Sequence, residues 1–175
     1  AFTKEGESYA EIGGSNYGEF ALQMRKTLGS DGVVYIFESD QILSQYYATN
    51  RFLNNASNVN LEGDVVVMDS YFQDRESSLD IVRINPGENA CNILGGMENI
   101  IDSSKDLRLF IKWSSGTEKC LADLAEKGFI FIDILKFNEE CSYLNSQLNY
   151  QLTIDDIANS GDIEILAVRK ETFEN

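Results

Sequence analysis

The chain has 175 residues, 43% of them hydrophobic, with one proline and 14 basic against 29 acidic residues, for a formal net charge of −15. That length carries one well-packed domain spanning 1–175 and leaves little for a second. The charge repels nucleic acid and no Lys or Arg cluster opposes it, so nucleic acid is not expected as a partner and the acidity reads as a solubility feature. The absence of histidine excludes a Ser-His-Asp or Cys-His pair and takes away zinc's usual nitrogen ligand, so no metal is expected. There is no run of about eighteen apolar residues. The opening Ala1-Phe-Thr-Lys-Glu-Gly-Glu-Ser8 has neither a basic start nor an apolar core, so neither a membrane partner nor a signal peptide is expected. The first strand follows almost at once and without an initiator Met, in keeping with a segment upstream of this sequence. Cys91, Cys120 and Cys141 are widely spaced and outside any CxxC pattern. They read as reduced thiols of a cytoplasmic protein, each packing as a small apolar residue.

In chain order the pattern alternates strand and helix. Tyr9 to Ile12 is a first strand, and a helix from near Tyr17 carries Phe20, Ala21, Met24 and Leu28 on one face before Gly29 stops it. Val33 to Phe37 is nearly all apolar, as a parallel strand covered on both faces must be. Asp40 caps the next helix, where Ile42, Leu43, Tyr46, Tyr47 and Leu53 recur at helical spacing and are expected in the core. Val59 to Leu61 is a third strand, linked through Glu62, Gly63 and Asp64 to Val65-Val-Val-Met68. Leu79 to Ile84 is a fourth, followed by a helix from about Glu88 to Ile101 with Cys91, Leu94, Met97 and Ile101 on its apolar face. Leu107 to Ile111 is a fifth strand. Thr117 caps a helix burying Cys120, Leu121, Leu124 and Ala125, which Gly128 ends. Phe129 to Leu135 and Ile163 to Val168 close the chain as strands, with a region rich in Asn and Ser between them. The class is α/β.

The chemistry concentrates in Glu11-Ile-Gly-Gly-Ser-Asn-Tyr-Gly-Glu-Phe20 and Val33-Val-Tyr-Ile-Phe-Glu-Ser-Asp40, a strand end, a glycine turn, a helix start and a second strand stopping on a carboxylate. This is a nucleotide-binding βαβ unit, in which Glu38 is placed to accept both hydroxyls of a ribose. A dinucleotide turn wants G-x-G-x-x-G, and counting back from Gly18 puts Ser15 at the middle glycine. A phosphate loop wants Lys after its last glycine, and Glu19 stands there instead. What remains is a nucleoside without phosphates, of which S-adenosylmethionine is the common one. Gly18 opens the helix beneath that ligand, with no room for a side chain.

Asn16-Tyr-Gly-Glu-Phe20, Val34-Tyr-Ile-Phe-Glu-Ser-Asp40, Asn50-Arg-Phe-Leu-Asn-Asn55 and Ser57-Asn-Val-Asn-Leu61 resemble, in order and approximate spacing, the opening half of the FkbM-type S-adenosylmethionine-dependent methyltransferases. Leu79-Asp-Ile-Val-Arg-Ile-Asn85 is similar to their strand ending in an acidic motif, and Asn92-Ile-Leu-Gly-Gly96 to the helix after it. The resemblance covers most of the chain. It implies a three-layer αβα Rossmann-like class I methyltransferase fold, mostly parallel, with an antiparallel hairpin at the C-terminal end. It further implies that Glu11 through Gly18, with Gly13, Gly14 and Asn16, wrap the methionine part of S-adenosylmethionine, that Glu38 holds the ribose, and that Glu62 or Asp64 approaches the adenine.

The sequence departs from the family in three places. The turn holds one residue more than the D-x-G-A-N-x-G pattern, the segment before Met68-Asp69 is short, and Ile84-Asn-Pro-Gly-Glu-Asn-Ala90 replaces an I-D-V-E-G-A-E stretch. Asn85 thus stands where the family has a strand-end Asp, and an amide orients a hydroxyl without taking its proton. Lys112 lies where the family often has a Glu and a His. The resemblance implies methyl transfer, O-methylation of a small-molecule or sugar-type hydroxyl, with Asn85 and Lys112 as catalytic candidates. The alternative is a catalytically degenerate domain acting as a cofactor-binding or protein-interaction module.

Overall fold

The computed structural model describes residues 3–13, 16–63, 67–73, 78–85, 90–114, 118–134 and 150–173. Within them, β1 (Ser8–Ile12) leads through a 3-10 turn (Asn16–Gly18) into α1 (Glu19–Leu28), and β2 (Val33–Phe37) into α2 (Gln41–Leu53). Then come β3 (Val59–Glu62), α3 (Met68–Phe72), β4 (Ile81–Ile84), α4 (Ala90–Gly95), α5 (Glu98–Ser103), β5 (Arg108–Trp113), α6 (Lys119–Glu126) and β6 (Phe129–Asp133). The chain ends with β7 (Gln151–Leu152), α7 (Ile154–Asn159), β8 (Ile163–Arg169) and α8 (Lys170–Phe173).

The strands form one sheet in the order β3-β2-β1-β4-β5-β8-β6-β7. The first five pair in parallel, while β8 runs antiparallel to both β5 and β6. Alternation along each strand sorts the side chains. Ala10, Ile12, Val82, Ile84, Leu109 and Ile111 face one core with α3 to α7, and Tyr9, Val34, Ile36 and Ile81 face another with α1 and α2. This is the three-layer αβα class I methyltransferase arrangement, with the expected antiparallel hairpin built from β6 and β8. A short strand and a short helix, β7 and α7, sit between them in the polar region. Thr153 caps α7 by a reciprocal pair with Asp156, an Asp version of the capping box.

The amino edge is pinned by polar contacts that the sequence pattern does not show. Ser8 N–H donates to Asp80 Oδ2 at 2.8 Å and Ser8 Oγ to the Ser78 carbonyl at 2.6 Å, tying β1 to β4. Arg108 on β5 pairs with Glu7 at 2.7 Å. Asn58 holds the end of α1, donating to the carbonyls of Gly29 and Gly32 and accepting from Arg25.

Four expectations change. Ala125, expected to be buried on α6 with Leu121 and Leu124, is exposed. The helix expected over Glu88 to Ile101 is two, α4 and α5, separated at Gly96 and Met97; the Gly95-Gly96 pair gives up the backbone preference that would carry one helix through. On α2, Tyr47 is buried, but Ile42, Tyr46 and Leu53 are 65%, 51% and 68% exposed. Cys91 and Cys120 are not reduced thiols. They form a disulfide joining α4 to α6, with Cα atoms 5.3 Å apart, and with that pair bonded the inference from reduced thiols to a cytoplasmic location falls away. Cys141, Thr117 and Pro86 lie outside the described residues.

The disulfide joins positions 29 apart, and closing a loop of that size constrains the unfolded chain by about 3–4 kcal/mol. Replacing Cys91 and Cys120 together by Ser is expected to lower the unfolding free energy by about 2–4 kcal/mol in denaturant titrations. An unchanged midpoint, with free-thiol counts showing the same cysteines reduced in the parent chain, contradicts the bond.

Candidate functional site

In a mostly parallel sheet the carboxyl ends of the strands form the ligand crevice, at the point where strand order reverses. Here that point lies between β1 and β4, and backbone hydrogen bonds bring the strand ends level. Gly13 N–H donates to the Phe37 carbonyl at 3.1 Å and Asn85 N–H to the Ile12 carbonyl at 3.1 Å. Glu38 N–H donates to the Glu62 carbonyl at 3.4 Å. Gly13, Glu38, Glu62 and Asn85 therefore stand side by side along one rim.

The turn over this rim is tight. Gly13, Tyr17 and Gly18 all have positive φ, at 65°, 58° and 86°, and a non-glycine residue in that region is costly. Asn50 of α2 donates to the Tyr17 carbonyl at 2.8 Å and locks the turn in place. Gly18 lacks room for a side chain, but the obstruction is not the ligand volume: a Cβ there would come within 2.7 Å of the Tyr47 ring, which is buried under the turn. A bulky residue at Gly18 is thus a packing lesion first.

Glu38 is 7% exposed at the end of β2. Its Oε1 accepts the Asp40 N–H at 2.8 Å, which fixes the direction of the carboxylate, and among the described residues no donor reaches Oε2. Asp40 itself caps α2 as expected, accepting from the N–H groups of Ile42 at 2.7 Å and Leu43 at 3.0 Å.

Glu11 takes a different place from the one the resemblance implies. It is fully buried, its carboxylate turned beneath the turn to Arg83 of β4 at 3.2 Å and to the Tyr9 hydroxyl at 3.3 Å. The Arg83 guanidinium in turn lies 4.3 Å from the centre of the Phe20 ring. Glu11 and Arg83 are registered across the β1 and β4 pair, so this cluster supports the turn from below and does not line the rim.

Lys112 is likewise displaced. It lies within β5 and not after it, opposite Glu164 of β8, on the α1 side of the sheet. There it lines a groove of about 320 Å³ with Phe20, Arg83, Phe110, Ile134 and Glu164. Because Ile84 pairs with Ile111, Asn85 and Lys112 follow at the same level of the sheet. Asn16 opens the 3-10 turn; Gly14 and Asp64 lie outside the described residues. Arg83, Tyr9 and Tyr47 were not anticipated. A lone cation in the apolar run Ile81-Val-Arg-Ile84, beside a strand bearing a lone acid at Glu11, is the signal that pairs them.

Tyr47 is 2% exposed, and among the described residues its hydroxyl has no hydrogen-bond partner. Burial, and after it the negative charges of Glu11 and Glu38, pushes this phenol well above its ordinary range. Tyr9 is raised for the same first reason, with Glu11 next.

No protein-family model matches this sequence, and no curated protein matches it either. Solved structures match it closely in fold. A proposed rRNA-methylase from Clostridium thermocellum aligns at TM-score 0.63 and 14% identity, over 95% of this chain and 88% of that one. Precorrin-6y C5,15-methyltransferase from Geobacter metallireducens aligns at 0.61 and 12%, over 96% and 82%. Fibrillarin from Aeropyrum pernix, in complex with natively bound S-adenosyl-L-methionine, aligns at 0.59 and 15%, over 94% and 67%. The chain has the class I methyltransferase fold.

The two raised phenols give the site a pH signature. Above about pH 10 the tyrosines of the unfolded chain ionise while Tyr9 and Tyr47 in the folded chain do not, so the unfolded state binds fewer protons and stability falls as pH rises. Tyr47→Phe is expected to flatten this alkaline loss. At pH 7 it should leave stability unchanged or raised by up to about 1 kcal/mol, since the lost hydroxyl leaves no partner behind. Melting curves from pH 7 to pH 11 check it; an equally steep loss in the variant contradicts the assignment.

Proposed function

We propose that the chain binds S-adenosylmethionine along this rim and transfers its methyl group, as an FkbM-type enzyme acting on a small-molecule or sugar-type hydroxyl. The observation that carries the reading is Glu38: a carboxylate held at the end of β2 by Asp40 N–H, with one oxygen open to a donor, beside a glycine turn locked in positive φ. The fold supports it, because the solved relatives share the arrangement and one of them carries S-adenosyl-L-methionine. The turn argues in the same direction, since Ser15 and Glu19 oppose a dinucleotide and a triphosphate respectively.

When bound, the cofactor would supply a methyl carbon already activated by a positive sulfur, which leaves as the neutral thioether, with the proton of the methylated hydroxyl released to solvent. This chain's residues position and exclude water. Gly13 to Gly18 would hold the amino-acid end, Glu38 would accept the ribose hydroxyls, and Glu62 or Asp64 would approach the adenine. Asn85 orients the acceptor hydroxyl by hydrogen bonding. Lys112, at the same level, presents its ammonium at the rim of the groove where an acceptor would enter. Alignment alone is worth roughly 7–11 kcal/mol of a barrier, so the reaction does not depend on a carboxylate at position 85. The acceptor is placed among small molecules because of the net charge of −15, although the first of the relatives is described as an rRNA-methylase.

One observation favours a second reading, a cofactor-binding module without turnover. The strand-end acid is replaced by Asn85, and Lys112 faces Glu164 across the sheet, so no general base stands at the described rim beyond the acids assigned to the cofactor. Calorimetry with S-adenosylmethionine and S-adenosylhomocysteine comes before this choice. Saturable binding is expected, and Glu38→Ala should weaken it at least tenfold in a folded protein, since a charge-assisted hydrogen bond contributes about 1.5–3 kcal/mol. Silence at millimolar ligand, or unchanged affinity in Glu38→Ala, contradicts the proposal. Methyl transfer to hydroxyl acceptors, with RNA as a parallel substrate, then separates enzyme from module and small molecule from nucleic acid.

A further inference from the structure

The packed side of α2 carries Leu43 and Tyr47, which accounts for its attachment to the sheet. A second apolar row runs along its outer side. Ile42, Tyr46 and Leu53 are 65%, 51% and 68% exposed, and with Thr49 they fall at steps of four, three and four. That is the narrow seam by which one helix packs on another. Phe52, 81% exposed, flanks the row, and Tyr17, 54% exposed, extends it by an edge-on contact with Tyr46 at 4.9 Å. Half-exposed single hydrophobics are ordinary on a surface; five in one patch mark an interaction face.

We infer that this face pairs with itself, α2 against α2 of a second copy, antiparallel about a two-fold axis. The first support is charge. The chain carries 29 acidic residues, yet 41–61 hold none and a single cation, Arg51. Two molecules of net charge −15 repel over most of their surfaces, and α2 offers a contact with no carboxylate on the helix. The second is register. An antiparallel two-fold pairing centred between Tyr46 and Thr49 sets Ile42 opposite Leu53 and Tyr46 opposite Thr49, apolar against apolar and large against small. It also places each helix's negative end beside the other's positive end. The third is area. Five large side chains exposed to this extent present on the order of 600 Å², most of the roughly 800 Å² per partner that a stable interface needs. The pairing does not rest on the cofactor proposal: Tyr17 belongs to both the patch and the turn after β1, but the positions that set the register, Ile42, Tyr46, Thr49 and Leu53, all lie on α2.

Sedimentation equilibrium across micromolar to submillimolar concentrations tests it. The parent chain is expected to reach twice the monomer mass. Leu53→Glu should weaken association about a hundredfold or more, because both copies lose an apolar contact, with unchanged circular dichroism since the side chain is exposed. Thr49→Tyr should weaken it by setting Tyr against Tyr, and Tyr46→Thr combined with Thr49→Tyr should restore it; Ile42→Gln provides a second disrupting variant if Leu53→Glu folds poorly. A parent chain monomeric at every concentration overturns the inference. So does a dimer indifferent to Leu53→Glu and Ile42→Gln, or a Tyr46→Thr, Thr49→Tyr pair no better than Thr49→Tyr alone.

Discussion

A buried carboxylate costs several kcal/mol unless it is paired and hydrogen-bonded, and Glu11 is fully buried. Its partner, Arg83, comes from a strand 72 residues away in sequence. The pair therefore forms only when β1 and β4 lie side by side in the observed register. Removing either partner would leave the other charge stranded in an apolar layer, which is more damaging than never having had the pair. Tyr9 from below and Phe20 from α1 enclose the two charges, so the helix that follows the glycine turn is held to the same point as the strands.

Much of the site's geometry follows from that anchor. The reversal of strand order falls between β1 and β4, where any α/β sheet opens a crevice, and the ion pair sits just below it. Above the pair, the Asn85 to Ile12 and Gly13 to Phe37 hydrogen bonds level three strand ends. Tyr47 fills the space under Gly18 and leaves no room for a side chain there. The rim is thus preorganised by parts that do not touch a ligand. An O-methyl transfer relying on alignment, as proposed here, depends on such rigidity more than on acid or base groups.

What the sequence made legible and what it hid follow from the range of each interaction. Local signals held: the apolar run Val33 to Phe37 is a parallel strand paired on both sides, although next to the edge strand, Asp40 caps α2, Gly29 and Gly128 end their helices, and Glu38 closes β2 at the rim. Interactions joining distant residues were hidden. Nothing local to Cys91 or Cys120 marks them as partners, and Glu11 read as a rim residue because its partner on β4 was not recognised. On α2, helical spacing alone does not distinguish the row that meets the sheet from the row that meets solvent, so Ile42, Tyr46 and Leu53 were assigned to the core along with Tyr47. Lys112 was placed beyond its strand because a strand end is set by its neighbours, and β8 carries the pairing on to Trp113.

The central claim is that the rim formed by the turn after β1 and by Glu38 at the end of β2 is the cofactor site. A crystal structure of the chain grown with S-adenosylhomocysteine tests this most directly. The account predicts the ligand across the carboxyl ends of β1 and β2, both ribose hydroxyls within hydrogen-bond distance of Glu38, the amino-acid end over Gly13 to Gly18, and the Glu11 to Arg83 pair intact beneath it. A ligand seated elsewhere, such as the groove beside Phe110 and Lys112, or a ribose that does not touch Glu38, would contradict it.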